Sequence, residues 1–480
     1  MKQKSDRKLY ADISASSLQV VLNQLLGLAV FLITSFGLSK EIYGELNWSV
    51  AVLSFITGIL GLRLEQIIVK RTAAGEPASP LLTVFMMHVF ITGILLLLIL
   101  LLTHLLFPGF FSLHGLMSWI CFSQLLTYFA SPFRQIANGK ERFDLLATIA
   151  TVSNLVRVTA LVACLLTHAF TIRNVLIIFI AGSAMEWITG YWLVRYKMQI
   201  AFSLQTGFRA YGKLLKETLP QAGAAILMAG ITRMDWILMG IFSTTIFTAE
   251  YSFAYRVFEL SPLPLLIVAP VLLTRLSRFY SADPARDLLS RKEDLDRLIR
   301  IEMILACFIP LVINLAWSPV FDSLTKNKYG SVNQWTFLIL SCCLPFQYIS
   351  NLNWSVLFAQ DKLKTILRIT AVTFLIILAG DIICIPRWSG TGAAAVYLGA
   401  MIIEYLNYLR HTPLRQVPGS YISLLICLLA AFFSGFSAIL VTENPWLRII
   451  LASTLFFLLT WATRQLRKSD LKFVYQLISR

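Results

Sequence analysis

Apolar residues run through this chain in long blocks, separated by short polar segments that carry most of its lysine and arginine. Stretches such as 81–106 and 421–441 are long enough to cross a bilayer as helices. Backbone groups in lipid must bond within their own segment, so the pattern predicts an all-α polytopic membrane protein. The alternating strands of a membrane barrel are not visible. Fourteen spans are predicted, near 14–36, 45–68, 80–107, 115–137, 143–167, 173–194, 216–240, 248–274, 299–318, 332–357, 365–385, 390–409, 419–441 and 446–463.

The polar segments give the orientation. With the N-terminus inside, the cytoplasmic segments hold 31 lysines and arginines and the outer loops hold 6: Lys40, Arg173, Lys326, Lys328, Arg387 and Arg448. That is a strong positive-inside bias, expected for an even number of spans with both termini cytoplasmic. The polar, basic start and the lack of a small-residue cleavage site imply that the first span is retained. The two longest inner loops are 195–215 and 275–298. The second is expected to hold a short surface helix, capped by Ser281 or Asp283 with Pro284 in its first turn.

Composition agrees, with 57% hydrophobic and 14% charged residues, where a soluble chain carries about 25% charged. The net charge of +16 first points to nucleic acid. Its spread among short loops excludes that reading. The seven cysteines form no CxxC or Cys/His spacing and read as small buried hydrophobes. No HExxH and no Walker-A loop occur, so no metal, cofactor or intrinsic ATPase is expected. Gly390-Thr391-Gly392 follows no strand and is not a dinucleotide fingerprint.

Four arginines remain inside predicted spans: Arg63, Arg157, Arg233 and Arg256. A charge at mid-bilayer costs roughly 2.5–3.5 kcal/mol on insertion scales, so it faces a partner or a polar cavity. A cationic interior points to anionic cargo. Arg256 has Glu259 at i+3 and Ser252 at i−4, beside a face made by Tyr251, Tyr255 and Glu259. Either the arginine binds cargo, or the pair neutralises the helix locally. Arg233 and Asp235 point to different faces, so one of them faces the cavity. Arg157, with Ser153 and Asn154 on its face, lines the pathway or braces two helices. Arg63 captures cargo from the cytoplasmic side or snorkels to the interface. Ser16 with Asn23 and Ser17 with Gln24 form a polar stripe on the first span. Glu186, Glu404, Asp235 and Glu259 are candidates for ion coupling or for structural ion pairs. Asp381 lies near an outer end and is expected at the interface.

A weak internal repeat is visible. Tyr43-Gly44-Glu45 opens the second span much as Glu250-Tyr251-Ser252 opens the eighth, and Glu186 with Arg195 parallels Glu404 with Arg410. It implies two six-helix lobes, 1–195 and 216–410, joined by a cytoplasmic linker at 196–215. Residues 411–480 would add two helices and a tail.

With Ile42-Tyr43-Gly44-Glu45-Leu46, the stretch 58–65, Ala249-Glu250-Tyr251-Ser252-Phe253-Ala254-Tyr255-Arg256 and Gly390-Thr391-Gly392-Ala393-Ala394-Ala395, the chain resembles a Wzx-type polysaccharide (O-antigen) flippase. These flippases belong to the multidrug/oligosaccharidyl-lipid/polysaccharide exporter superfamily. The resemblance covers roughly residues 10–410. It implies two lobes around a central cavity, lipid-linked oligosaccharide on an isoprenoid pyrophosphate as cargo, and membrane lipids around it. A polysaccharide polymerase and glycosyltransferases follow as partners. The guanidinium group is always charged and bonds phosphate oxygens bidentately, which suits the pyrophosphate. The related lipid II flippases carry a first-span arginine where this chain has Asn23 and Gln24, which favours sugar repeat units as cargo. A drug/cation antiporter of the same superfamily is the alternative, and it calls for an acidic pocket that the first span lacks. A polymerising enzyme needs a large outer catalytic loop, and the longest here is 319–331.

Overall fold

The computed structural model describes residues 22–109, 115–203, 207–265 and 292–467. Their regular elements are all helical, and the chain divides into two compact units, Met1–Ala249 and Glu250–Arg480. The first unit contains α1 (Leu22–Gly37), α2 (Lys40–Leu60), α3 (Leu64–Ala73), α4 (Ala78–Leu106) and α5 (Leu116–Gly139). It continues with α6 (Phe143–Leu166), α7 (Ile172–Trp192) and α8 (Phe208–Phe242). The boundary falls inside α9 (Thr245–Phe258). The second unit adds α10 (Lys292–Thr325), α11 (Gln334–Ser341), α12 (Leu344–Ala359), α13 (Leu363–His411), α14 (Gly419–Val441) and α15 (Pro445–Ala462).

Helix starts follow local chemistry. The Ser39 hydroxyl accepts from the Ile42 N–H and the Thr171 hydroxyl from the Asn174 N–H. Asn444 caps α15, where Pro445 supplies a first residue that needs no donor. Long apolar faces stay uncovered, including Leu101, Leu102 and Leu105 on α4 and Phe432, Phe436 and Leu440 on α14. In water such faces would drive aggregation, whereas here they meet lipid. This is a multi-pass membrane protein.

Among the described residues, ten helical segments are long and apolar enough to cross a membrane, so the fourteen predicted spans are not all counted. Part of the difference is continuity. The eleventh and twelfth predicted spans are merged in α13, which is interrupted at Ser389 by a left-handed φ of 45°. Gly380 meets Val396 across this break, with a Cβ on the glycine falling 2.6 Å from Val396 Cγ1. The two arms therefore lie side by side. The tenth predicted span divides into α11 and α12, with Pro345 in the first turn of α12. The eighth is described only to residue 265, and the surface helix expected over 275–298 lies outside the described residues as far as 291. From Lys292 onward that segment is already part of α10.

The second predicted span also breaks. Leu62 and Arg63 take left-handed backbone angles, φ 48° and 55°. The Leu64 N–H turns back to the Gly61 carbonyl at 2.9 Å. The Leu60 carbonyl thereby loses its helical donor and accepts instead from Nε2 of His88 on α4, at 2.9 Å. A carbonyl can only accept, so Nε2 carries the proton and Nδ1 accepts from the Tyr211 hydroxyl at 3.2 Å.

Helix α2 packs on α8 through a small residue. The Trp48 indole lies over Gly240 and donates to the Ile237 carbonyl at 3.1 Å. A Cβ on Gly240 would fall 2.0 Å from the ring. Gly240→Leu should therefore cost about 1–3 kcal/mol through overpacking, seen as a lower melting midpoint of the purified protein in detergent.

Candidate functional site

In the first unit the intramembrane charges converge on α5, α6 and α7. Glu186 on α7 is 4% exposed and accepts from Arg134 Nη1 on α5 at 2.7 Å. The Ser153 hydroxyl on α6 donates to the Gly182 carbonyl at 2.9 Å and reaches Glu186 at 3.5 Å. Arg157, also on α6, donates to the Ser183 hydroxyl at 2.7 Å and to Asn154 Oδ1 at 3.5 Å. Ser183 in turn meets Ser123 at 2.9 Å and Thr127 at 3.0 Å, both on α5. Gly182 admits Arg157, since a Cβ there would fall 2.5 Å from the arginine Cγ. On the same side of α5, Gln135 donates to Glu65 on α3 at 3.3 Å. The result is a polar seam of two arginines, two glutamates and a run of hydroxyls between packed helices. Arg157 makes bracing contacts within it.

Arg63 sits at the left-handed break between α2 and α3, half-buried. Asn23 and Gln24 lie in the first turn of α1, and Asn23 Oδ1 is buried without a hydrogen bond. On α8 the Arg233 guanidinium stacks over Trp236 at 5.2 Å, while Asp235 is buried and accepts from the Trp236 N–H at 2.8 Å. The two side chains thus diverge, as a spacing of two requires.

In the second unit, Arg256 donates to Glu259 at 2.7 Å. The guanidinium side chain keeps 36% exposure, so the pair leaves it accessible. Tyr251 and Tyr255 stand side by side with ring centroids 5.8 Å apart, and Tyr397 of α13 meets Tyr255 edge-on at 6.0 Å. Tyr397 is held by Gln347 at 3.0 Å. Tyr251 rests against Gly390, just past the α13 break. Glu404 sits one turn before Tyr408, with which it interacts electrostatically.

Three charged residues were missed or misplaced from sequence. Arg134 counts there among the cytoplasmic basic residues with Lys140 and Arg142, although it falls inside the predicted span 115–137, and α5 carries it into the seam. The burial of Asp381, placed near an outer end, was not foreseen: its side chain is fully buried on the arm of α13 that precedes the break. Glu302 falls at the edge of the predicted ninth span, whereas α10 starts seven residues earlier, at Lys292.

The family model for polysaccharide biosynthesis proteins matches residues 9–280, more than half of the chain. The chain belongs to this family. No curated protein matches it in sequence. This family member shares its fold with flippases and transporters. A lipid II flippase, MurJ, in its inward closed conformation aligns with a TM-score of 0.71 at 14% identity, over 93% of this chain and 97% of that one. A Vibrio cholerae MATE transporter, VcmN, aligns at 0.59 and 16% identity, over 87% and 100%. A MOP superfamily transporter from Pyrococcus furiosus aligns at 0.58 and 12% identity, over 88% and 96%. At these identities the likeness establishes the fold of this polysaccharide biosynthesis family protein and no more.

Removing Glu186 from the seam strands the guanidinium of Arg134. Glu186→Ala should cost about 3 kcal/mol, the lower end for one partner of a buried pair, because Arg134 keeps some exposure. Glu186→Gln, which still accepts a hydrogen bond, should cost less, and thermal melting in detergent orders the two.

Proposed function

We propose that this protein is a flippase that moves isoprenoid-pyrophosphate-linked oligosaccharide repeat units across the bacterial inner membrane by alternating access. The head group is captured from the cytoplasmic side while the lipid tail stays in the bilayer, and it is released outside. The family supports a role in polysaccharide biosynthesis. The fold shared with a lipid II flippase supports movement of a lipid-linked substrate.

The observation that carries the reading is Arg256 with its neighbours. It is an accessible guanidinium on α9, bonded to Glu259, on the same helix as the buried Tyr251 and Tyr255. Arginine suits pyrophosphate oxygens; the proposed sugar contacts of Tyr251 and Tyr255 require the transport cycle to uncover them, since both are buried in this conformation. Arg233, Arg157, Arg63, Asn23 and Gln24 complete the proposed polar path. Glu259, Asp235, Glu186 and Glu404 are the proposed ion-coupling acids. Lobes at 1–195 and 216–410, a linker at 196–215 and cytoplasmic termini belong to the same reading, as do a polymerase and glycosyltransferases as partners. The MATE-like fold favours a second reading, a drug/cation antiporter, which the arginines count against.

The test is complementation of a deletion strain at matched expression, reading surface polysaccharide and accumulated lipid-linked repeat units. Wild type should restore export, and Arg256→Ala should lower it at least tenfold, an effect of about 1.4 kcal/mol or more. Exchanging the pair (Arg256→Glu with Glu259→Arg) should keep the fold but not the export, because the cation moves from position 256 to the end of α9 and a carboxylate takes its place. Full export from the exchanged pair would reduce Arg256 to a structural partner. Unchanged polysaccharide with altered resistance to cationic drugs would favour the antiporter.

A further inference from the structure

Glu186 and Asp235, both buried, meet a partner of opposite charge or a hydrogen-bond donor. Glu302 meets neither. It lies on α10, is 4% exposed, and both its carboxylate oxygens are buried without a hydrogen bond. Its neighbours one turn away on the same helix are Leu298, Ile299, Leu305 and Ala306. Around it the core of the second unit gathers Ile299, Met303, Tyr348, Ile349 and Leu352.

The helices packed on α10 bring few titratable groups. Helix α11 carries none. Helix α12 brings Tyr348, which interacts electrostatically with Glu302. Helix α14 brings Tyr421 and Cys427, the latter interacting with Cys307. Helix α15 brings Arg448, whose guanidinium bonds the Thr442 carbonyl. On α10 itself, Arg300 is bonded to Asp296, and a spacing of two turns it away from Glu302.

An ionised carboxylate in such a place has lost its water and gained nothing, so the group takes up a proton instead. A metal ion is a poor alternative, because it needs several oxygen ligands. Among the described residues no three acidic, histidine or cysteine side chains are gathered to hold one. A purely structural residue here would be apolar, since leucine fills the same space without a polar group to bury.

We propose that Glu302 is a proton-binding site of the second unit, a carboxylic acid that is neutral in this conformation and releases its proton when the transport cycle admits water to α10. The chemistry is one O–H bond. It breaks with its electron pair left on the carboxylate oxygen, the proton passes to water, and re-closure requires its return. The site thereby ties conformation to a proton gradient. This deepens the transport reading by naming a coupling group, and it rests on that reading only for the cycle, not for the protonation.

Infrared difference spectroscopy tests the protonation without knowledge of the cargo. The full chain, reconstituted in lipid nanodiscs at neutral pH, should show a carboxylic-acid carbonyl band that shifts in deuterated water. Glu302→Gln should lack that band while its melting midpoint confirms the fold. If Glu302→Gln does not fold, Glu302→Asp is read instead and should move the band. Identical acid bands in wild type and variant overturn the proposal. The coupling is tested by export at acidic and alkaline external pH in the complemented deletion strain. Glu302→Gln should lower export at least tenfold and flatten its pH profile, whereas a profile like that of wild type overturns the coupling role. A Glu302 band in a protein that exports no polysaccharide would leave the proton site standing and remove the flippase reading alone.

Discussion

A polar group carried into an apolar helix bundle has to find another polar group there, and much of this structure is arranged around that constraint. In the first unit the requirement draws α5, α6 and α7 together, since Glu186, Arg134, Arg157 and four hydroxyls satisfy one another across their interfaces. Between lipid and protein there is little hydrophobic difference to hold helices together. Such contacts, with close approaches at Gly182 and Gly240, therefore take on more of the work of packing. The same seam has a cost in freedom, because separating the three helices would break the hydrogen bonds they share at Ser183.

The small residues picked out by the internal repeat have physical tasks. Gly44 leaves room for the Thr245 carbonyl, which would collide with any side chain at that position. Its neighbour Glu45 accepts from the Leu116 N–H and so caps α5 from a different helix. In the second unit, Tyr251 packs against Gly390, where the chain resumes after its break. Tyr43-Gly44-Glu45 and Glu250-Tyr251-Ser252 thus each contain residues that fasten their helix to a distant segment.

The helical class and the ends of several helices were legible in the chain. Predicted spans at 419–441 and 446–463 differ from α14 and α15 by at most one residue, because lipid-facing segments are apolar all round and their ends are marked by polar turns. The break at Ser389 was legible too, since the predicted spans stop at 385 and resume at 390 across Pro386, Arg387 and Gly390. The break at Leu62-Arg63 was not, because its apolar surroundings read as one continuous span and the His88 partner comes from elsewhere in the fold. Charge placement failed for a related reason. Loop bookkeeping assigns a basic residue by its sequence neighbours, so Arg134 went with Lys140 and Arg142, although its partner Glu186 lies 52 positions away. The Arg256–Glu259 contact was readable because its ends lie three residues apart in the chain.

The junction of α2 and α3 holds three helices to a single backbone carbonyl. Leu60 has two donors it can choose between, the N–H of Leu64 in a straight helix or the imidazole of His88 in the bent one. Straightening the junction would return the carbonyl to its own helix and free His88. The hydroxyl of Tyr211 on α8 would then lose the nitrogen it now donates to. A change of two backbone angles at Leu62 and Arg63 is therefore felt on α4 and α8 through one exchange of hydrogen bonds, with no charge uncovered along the way.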